Sequence, residues 1–497
     1  MFLAFKSHIL PANYPRDIIC RLFQVSIAVL LVFSVVFISY SAVSSTHYLW
    51  SCPDCDQYPD QPQITARSAS PGPTASTEPT NASHIVFGIG ASARTWHQRR
   101  GYNDLWWRPG ETRGHVWLDE EPQGAWPDTS PPYRVSADTS RYGARASASR
   151  IARIVAEAYA VGMENVRWFV MGDDDTVFFV ENLVAVLGKY DHEQMWYIGA
   201  PSESVEQNVM HSYGMAFGGG GFAISYPAAA ELARVMDGCL DRYMYFYGSD
   251  QRIQACLSEL GVPLTREAGF HQVDIRGDTY GMLAAHPIAP LVSLHHLNSV
   301  KPVSPSRTTQ LEALRSLMDA SRHDPARTLQ QTFCYNRDQG HNWSVSVSWG
   351  YTAQLYHWVL APHDLEVPLR TFQTWRSYKD GPFVFNTRPY TVDKNCKPML
   401  FFLDRVREGR KRAPITITDY SRYEPSAAVD TTGCRRPGFA AASEVQTIRV
   451  VAPKMNPDEW RKAPRRHCCE ARTKAPSGRS IDVWIRHCYP GEITSPP

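Results

Sequence analysis

The chain has 497 residues, 43% of them hydrophobic, which is enough for a sizeable buried core and two or three folded units. Its net charge of +2 provides no broad basic field, which excludes a protein built to hold nucleic acid by charge. No repeat of fixed period runs along it, which excludes a solenoid or propeller.

Residues 1–21 read as a short tail carrying Lys6, Arg16 and Arg21. Residues 22–43 hold no charged group, and a bilayer core needs about 20 such residues as a helix. No Lys or Arg follows until Arg67, so the positive-inside rule leaves the tail in the cytosol and sends the rest across the membrane. Tyr40, Tyr48 and Trp50 then suit the far interface. The stretch exceeds the roughly 7–15 apolar residues of a cleaved signal, which favours an anchor.

The cysteines agree with this topology. Of 11, only Cys20 falls on the tail side, and the other ten suit a disulfide-bonded lumenal part. Cys52 and Cys55 predict a small local disulfide loop. Asn81-Ala-Ser83 and Asn342-Trp-Ser344 are glycosylation sequons on the same side.

Residues 44–83 are rich in Pro, Ser and Thr without apolar periodicity, the pattern of a stem. Residues 84–305 alternate strand-like and helix-like stretches and predict an α/β domain. Ile85–Ile89 reads as a first buried strand, Ser149–Gly162 as a helix, and Val166–Met171 as a second strand. Trp196–Ile198 and Phe222–Ser225 are further strands, and Pro227 opens a helix through about Met236. Residues 306–497 read as a β-rich accessory region, from Val345–Trp349, Phe383–Phe385, Met399–Leu403 and Ile481–Ile485. It holds Cys334, Cys396, Cys434, Cys468, Cys469 and Cys488.

The strand Val166–Met171 delivers Asp173, Asp174 and Asp175 to its C-terminal end, where open α/β sheets bind ligands. Three adjacent carboxylates flanked by core residues repel one another unless a cation neutralises them. A hard divalent ion, Mn²⁺ or Mg²⁺, suits such oxygen ligands and in turn holds a diphosphate. The bland alternative is a solvated acidic turn.

Three more segments bear on that cluster. Phe217-Gly-Gly-Gly-Gly-Phe222 permits close approach of a ligand, or else is a tight bend. Asp250, within Tyr247-Gly-Ser-Asp-Gln-Arg252, is placed as a general base or as a helix cap, with Cys239 and Cys256 able to bridge around it. His295 and His296 end an apolar run. Adjacent residues of a strand face opposite ways, so at most one joins a metal site. His211, His271 and His286 carry no assignment.

In this order, Phe169–Phe178, Tyr213–Ser225, Tyr247-Gly-Ser-Asp250, Phe270-His-Gln272, Ala284-Ala-His-Pro287 and Val292–Leu297 resemble the Fringe-like glycosyltransferases of glycosyltransferase family 31. The likeness extends to the plant group long labelled a domain of unknown function. It implies a GT-A type nucleotide-sugar-binding α/β domain with a mixed sheet. It further implies a UDP-sugar donor, Mn²⁺, transfer with inversion to a glycan or glycoprotein hydroxyl, and a type II Golgi membrane protein. By the same resemblance Asp175 matches a metal ligand, with His296 as the second ligand and His295 as its alternative. Asp173 and Asp174 match donor contacts, Asp250 the catalytic base, and Gly219 and Gly220 the acceptor-side glycine turn. Fringe enzymes carry paired acidic residues at the base, whereas Ser249 and Gln251 flank a single Asp here. A non-catalytic carbohydrate-binding or scaffold protein on the same fold is the alternative reading. A soluble nucleotidyltransferase shares the acidic chemistry but not the anchor and the cysteines.

Overall fold

The computed structural model describes residues 16–44, 78–375, 386–390, 396–409, 414–424, 434–474 and 478–494. In the first helix it describes side chains over 23–39. The tail up to residue 15, the stem over 45–77 with Tyr48, Trp50, Cys52 and Cys55, and the run Phe383–Phe385 lie outside the described residues. So do the side chains of Cys20 and Tyr40.

Helix α1 (Arg16–Ser44) belongs to the unit Met1–Thr77. Among the described residues no helix is long and apolar enough to cross a membrane. The stretch over 22–43 is helical within α1, but by that measure the expected membrane anchor is not found. Its described side chains are exposed along their length, Leu30, Leu31 and Phe33 among them.

Glu78–Pro497 form the second compact unit. It begins with β1 (Ile85–Gly90), an apolar strand with every residue buried. Then come α2 (Trp96–Asn103), β2 (Arg113–Leu118), β3 (Tyr133–Val135) and α3 (Ala146–Ala160). Next are β4 (Trp168–Asp173), β5 (Val177–Phe178), α4 (Val180–Leu187), β6 (Tyr197–Gly199) and α5 (Val205–Met210). After β7 (Phe222–Ser225) follow α6 (Tyr226–Arg242), α7 (Ser249–Glu259) and β8 (Leu264–Arg266). These strands form a seven-stranded sheet in the order β3-β2-β1-β4-β7-β6-β8. The sheet is mixed: β4 runs parallel to β1 and antiparallel to β7. Beside it, β9 (Phe270–His271) and β5 flank β11 (Ser293–Leu294), while β10 (Ile275–Gly277) pairs elsewhere; α8 (Tyr280–Ala284) lies between β10 and β11 in the chain.

The helices follow from their apolar spacing. α3 buries Ala152, Ile154, Val155 and Ala158 on one stripe, and Val86 and Phe169 of the sheet share its cluster with Leu232 of α6 and Leu257 of α7. Its buried Arg150 donates to the carbonyls of Ala91 (2.9 Å) and Trp117 (3.0 Å), which tethers the ends of β1 and β2. Phe87, Trp106, Trp168, Phe178 and Leu183 fill the other face of the sheet.

That second core continues past residue 305. Leu314 and Leu317 of α9 (Gln310–His323), Leu329 and Phe402 belong to the same cluster as Phe87. The expected border between 84–305 and 306–497 therefore marks a change of sheet, with the hydrophobic core running across it.

The later strands are β12 (Gln331–Asn336), β13 (Trp343–Ser348), β14 (Thr352–Tyr356) and β15 (Phe372–Thr374), the last paired with β10. β16 (Met399–Gly409), β17 (Ile415–Tyr423), β18 (Thr447–Pro453), β19 (Cys468–Thr473) and β20 (Ser480–Arg486) complete the set. Eight of them form one sheet in the order β12-β13-β14-β16-β17-β18-β20-β19. The disulfide Cys334–Cys469 joins its two outermost strands. Cys396–Cys434, Cys468–Cys488 and Cys239–Cys256 are also bonded, the last as the sequence suggested.

A bridge spanning 135 residues removes much chain entropy from the unfolded state, roughly 5 kcal/mol for a loop of that order. Replacing Cys334 and Cys469 together by serine should lower the urea midpoint accordingly. An unchanged midpoint would show that the sheet edges hold without the bond.

Candidate functional site

The site is built where β4 ends. Gly90 of β1 pairs with Asp173, and the amide of Asp174 donates to the Gly90 carbonyl (3.1 Å). Gly172 just before the triplet leaves room for Phe178, since a Cβ there would sit 2.9 Å from the ring. The chain then turns on Thr176. Its hydroxyl accepts from the Asp173 amide (2.8 Å) and donates to the carbonyl of Gly219 (2.7 Å). One fully buried threonine thus links the acidic turn to the glycine turn.

The three carboxylates take three environments. Asp174 turns to Arg99 of α2, whose guanidinium donates to Oδ1 at 2.8 Å; burial still raises its pKa to about 6 against that pairing. Asp175 is as deeply buried, yet His295 and Arg99 outweigh the burial and pull it down to about 2. Asp173 keeps more access to solvent; burial raises its pKa, and His295 opposes the rise.

His295 completes the group. Its Nε2 lies 3.1 Å from Asp175 and 3.6 Å from Asp173. Burial works against its charge, but these carboxylates raise its pKa. Asp173, Asp175 and His295 each offer a ligand atom, all within 4.8 Å of one another. His295 Nε2 faces Asp175 Oδ1 and Asp173 Oδ2 across a shared, buried space. Two carboxylates and an imidazole nitrogen converging in this way fit a hard or borderline divalent cation such as Mn²⁺.

His296 does not join them. β11 ends at Leu294, and His296 takes a left-handed backbone conformation at φ 51°. Its Nδ1 bonds Asp274 (2.8 Å), which also accepts from Ser202 (2.6 Å). Its ring lies 4.0 Å from that of His295 and stacks on Trp375 at 4.7 Å. Of the two adjacent histidines, His295 therefore faces the carboxylates and His296 supports it from the side. The left-handed turn sends the second ring away from the first one's target.

The glycine turn is also redistributed. Gly219 and Gly220 are buried spacers. A Cβ on Gly219 would stand 2.0 Å from the His295 ring, and Gly220 donates to Gln272 (2.6 Å). Gly218 is the member that meets Asp250, donating its amide to Oδ2 at 3.2 Å. Asp250 lies in the first turn of α7 without capping it, its Oδ1 accepting from the Gln251 amide (2.9 Å). Burial raises its pKa, with the Gly218 and Gln251 amides opposing. Consecutive glycines thus connect the His295 group to Asp250.

Arg99, Asn103, Thr176, Gln272 and Asp274 complete the site, and sequence reasoning missed all of them. Asn103 donates to the Asp174 carbonyl (2.7 Å). Gln272 lay inside the quoted Phe270-His-Gln272 run, a signal within reach. Arg99 lies 75 residues from its partner, and nothing in the sequence ties the two together.

A family profile described as "Protein of unknown function, DUF604" matches residues 207–469. The chain is 32% identical over 130 residues to Beta-1,3-N-acetylglucosaminyltransferase lunatic fringe of Bos taurus, covering 21% of this chain and 31% of that protein. The chain thus spans about a third of the length of that relative. Among solved structures, apo mouse Xyloside xylosyltransferase 1 is 9% identical, covering 37% of this chain and 84% of that one, with a TM-score of 0.24. A likeness that slight guides neither fold nor activity.

The glycines give a direct test of the packed turn. Gly219→Ala should displace His295 and cost about 1–3 kcal/mol by overpacking. Gly218→Ala meets only ordinary contact, 3.6 Å from Asp250, and should unfold with the parent midpoint. Equal midpoints for both variants in urea would contradict the geometry.

Proposed function

The chain belongs to the family described as "Protein of unknown function, DUF604" and to the Fringe-like group of glycosyltransferase family 31, and from that premise we propose that it is an inverting, metal-dependent glycosyltransferase. It moves a sugar from a UDP-sugar to a hydroxyl of a glycan or glycoprotein on a GT-A type domain. The observation that carries this reading is the glycine turn that joins Asp173, Asp175 and His295 to Asp250.

Asp173, Asp175 and His295 would hold the divalent ion, Mn²⁺ or Mg²⁺, which when bound neutralises charge developing on the leaving diphosphate. Arg99 fixes Asp174 and offsets part of the negative charge of the triplet. Asp250 accepts the proton of the attacking hydroxyl, and the amides of Gly218 and Gln251 aim its two oxygens. Attack from the face opposite the leaving group inverts the anomeric centre and gives a β-linkage from an α-linked donor. The unit from Glu78 onward works in the Golgi lumen in this reading, a compartment where its disulfides persist.

Asp250→Asn should retain UDP affinity by calorimetry while transfer falls by about 100- to 10,000-fold. Full turnover in that variant refutes the base assignment. Because burial raises the pKa of Asp250 and the base must be ionised, the transfer rate should fall on acidification, through a value above the ordinary carboxylate range. A rate flat across that range would remove Asp250 from the role. His295→Ala should weaken Mn²⁺ binding more than His296→Ala does; the reverse order would return the ligand role to His296.

A further inference from the structure

We propose that the loop 243–248 is the acceptor subsite, and that it receives a neutral sugar ring, apolar face first, on Tyr245 and Tyr247. This rests on the transferase reading and gives its acceptor a place and a chemical class.

The loop shows aromatic surface to water. Tyr245 is 65% exposed and Tyr247 72%, with Met244 beside them at 49%. Exposed rings on a mobile loop would carry little meaning, but this backbone is held from beneath. Arg252 is fully buried and donates to the carbonyls of Met244 (3.1 Å) and Phe246 (2.9 Å), and to the hydroxyl of Ser149. A buried guanidinium held by two of the loop's own carbonyls fixes the loop, because freeing them would leave the charge less paired in the interior. The Cys239–Cys256 disulfide ties α6, which enters the loop, to α7, which leaves it.

Each ring is also propped on one side. Phe246 lies 4.6 Å from Tyr245, and the Arg145 guanidinium sits 5.2 Å over Tyr247. Both tyrosines are thus positioned in advance with much of their surface open. Preset aromatic surface binds at low entropic cost.

The place of the loop decides its occupant. A Cβ on Gly248 would stand 2.4 Å from Asp250 Oδ1, so the chain passes against the carboxylate directly after Tyr247. The rings stand three and five residues from the carboxylate in the chain, within reach of a sugar that offers its hydroxyl to Asp250. The C–H face of a pyranose matches an aromatic plane. Asp250, ionised when it takes the proton, disfavours an anionic group on the ring whose hydroxyl it faces, which selects the neutral class.

The test uses the full-length chain in detergent with UDP-sugar donors, Mn²⁺ and two panels of trisaccharides, neutral hexose and uronic acid. Neutral trisaccharides should accelerate UDP release. Tyr245→Ala and Tyr247→Ala should each raise the KM of the accelerating sugar about tenfold, the scale of one lost stacking contact, with the donor's KM unmoved. Tyr247→Phe should keep the parent value. Acceleration by uronic acids alone, an unchanged acceptor KM in both alanine variants, or an equal rise in the donor's KM would each overturn the subsite. Acceptor-free UDP release that no trisaccharide accelerates would also overturn it while leaving the transferase reading intact. No UDP release from any donor in the parent protein would defeat that reading itself.

Discussion

Three adjacent carboxylates at the end of a buried strand repel one another, and the surrounding structure is arranged to manage that repulsion. The fold meets it piecewise. Arg99 takes Asp174, His295 leans on Asp175 and Asp173, and Thr176 and Asn103 hold the backbone of the turn. Each helper comes from a different element, so the sheet, α2 and the segment after β11 must all be in place before the cluster can exist. The convergence that results, two carboxylates and one imidazole with ligand atoms within 4.8 Å of one another, is the complement of a cation.

Glycine serves the same constraint by letting elements approach. Gly172 admits Phe178, Gly219 admits His295, and Gly218 brings a backbone amide to Asp250. A methyl group at the first two positions would force the neighbours apart. The four-glycine run is thus a spacer set by distances in three directions, and the positive φ of Gly221 brings it back into β7.

Beyond the site, the second sheet adds to the first in a specific way. α9 and Phe402 share one core with Phe87, Phe178 and Leu291. Arg327, buried after α9, pairs with Asp324 (3.2 Å) and donates to the carbonyl of Pro453 (2.7 Å) at the end of β18. A region that reads as an accessory in sequence is therefore part of the packing that supports α4 and β11. The elements that carry the aspartates and His295 gain rigidity from it.

Much of this was legible in the residues. The apolar runs and the helical spacing located β1, β4, β7, α3 and α6, because period and burial are local properties of sequence. The acidic triplet, the glycine run, Asp250 and the tandem histidines could be singled out for the same reason: an improbable cost in charge or conformational freedom shows in a short stretch. Which histidine faces the carboxylates was decided by a left-handed turn at His296, a φ choice that no spacing rule gives. That Gly218, rather than Gly219 or Gly220, meets Asp250 was decided by how the turn before β7 meets the first turn of α7. Arg99 and the edge-to-edge disulfide depend on contacts 75 and 135 residues apart. Sequence determines which groups are costly to bury; only tertiary structure determines which partner reaches them, because reach is set by the path of the whole chain.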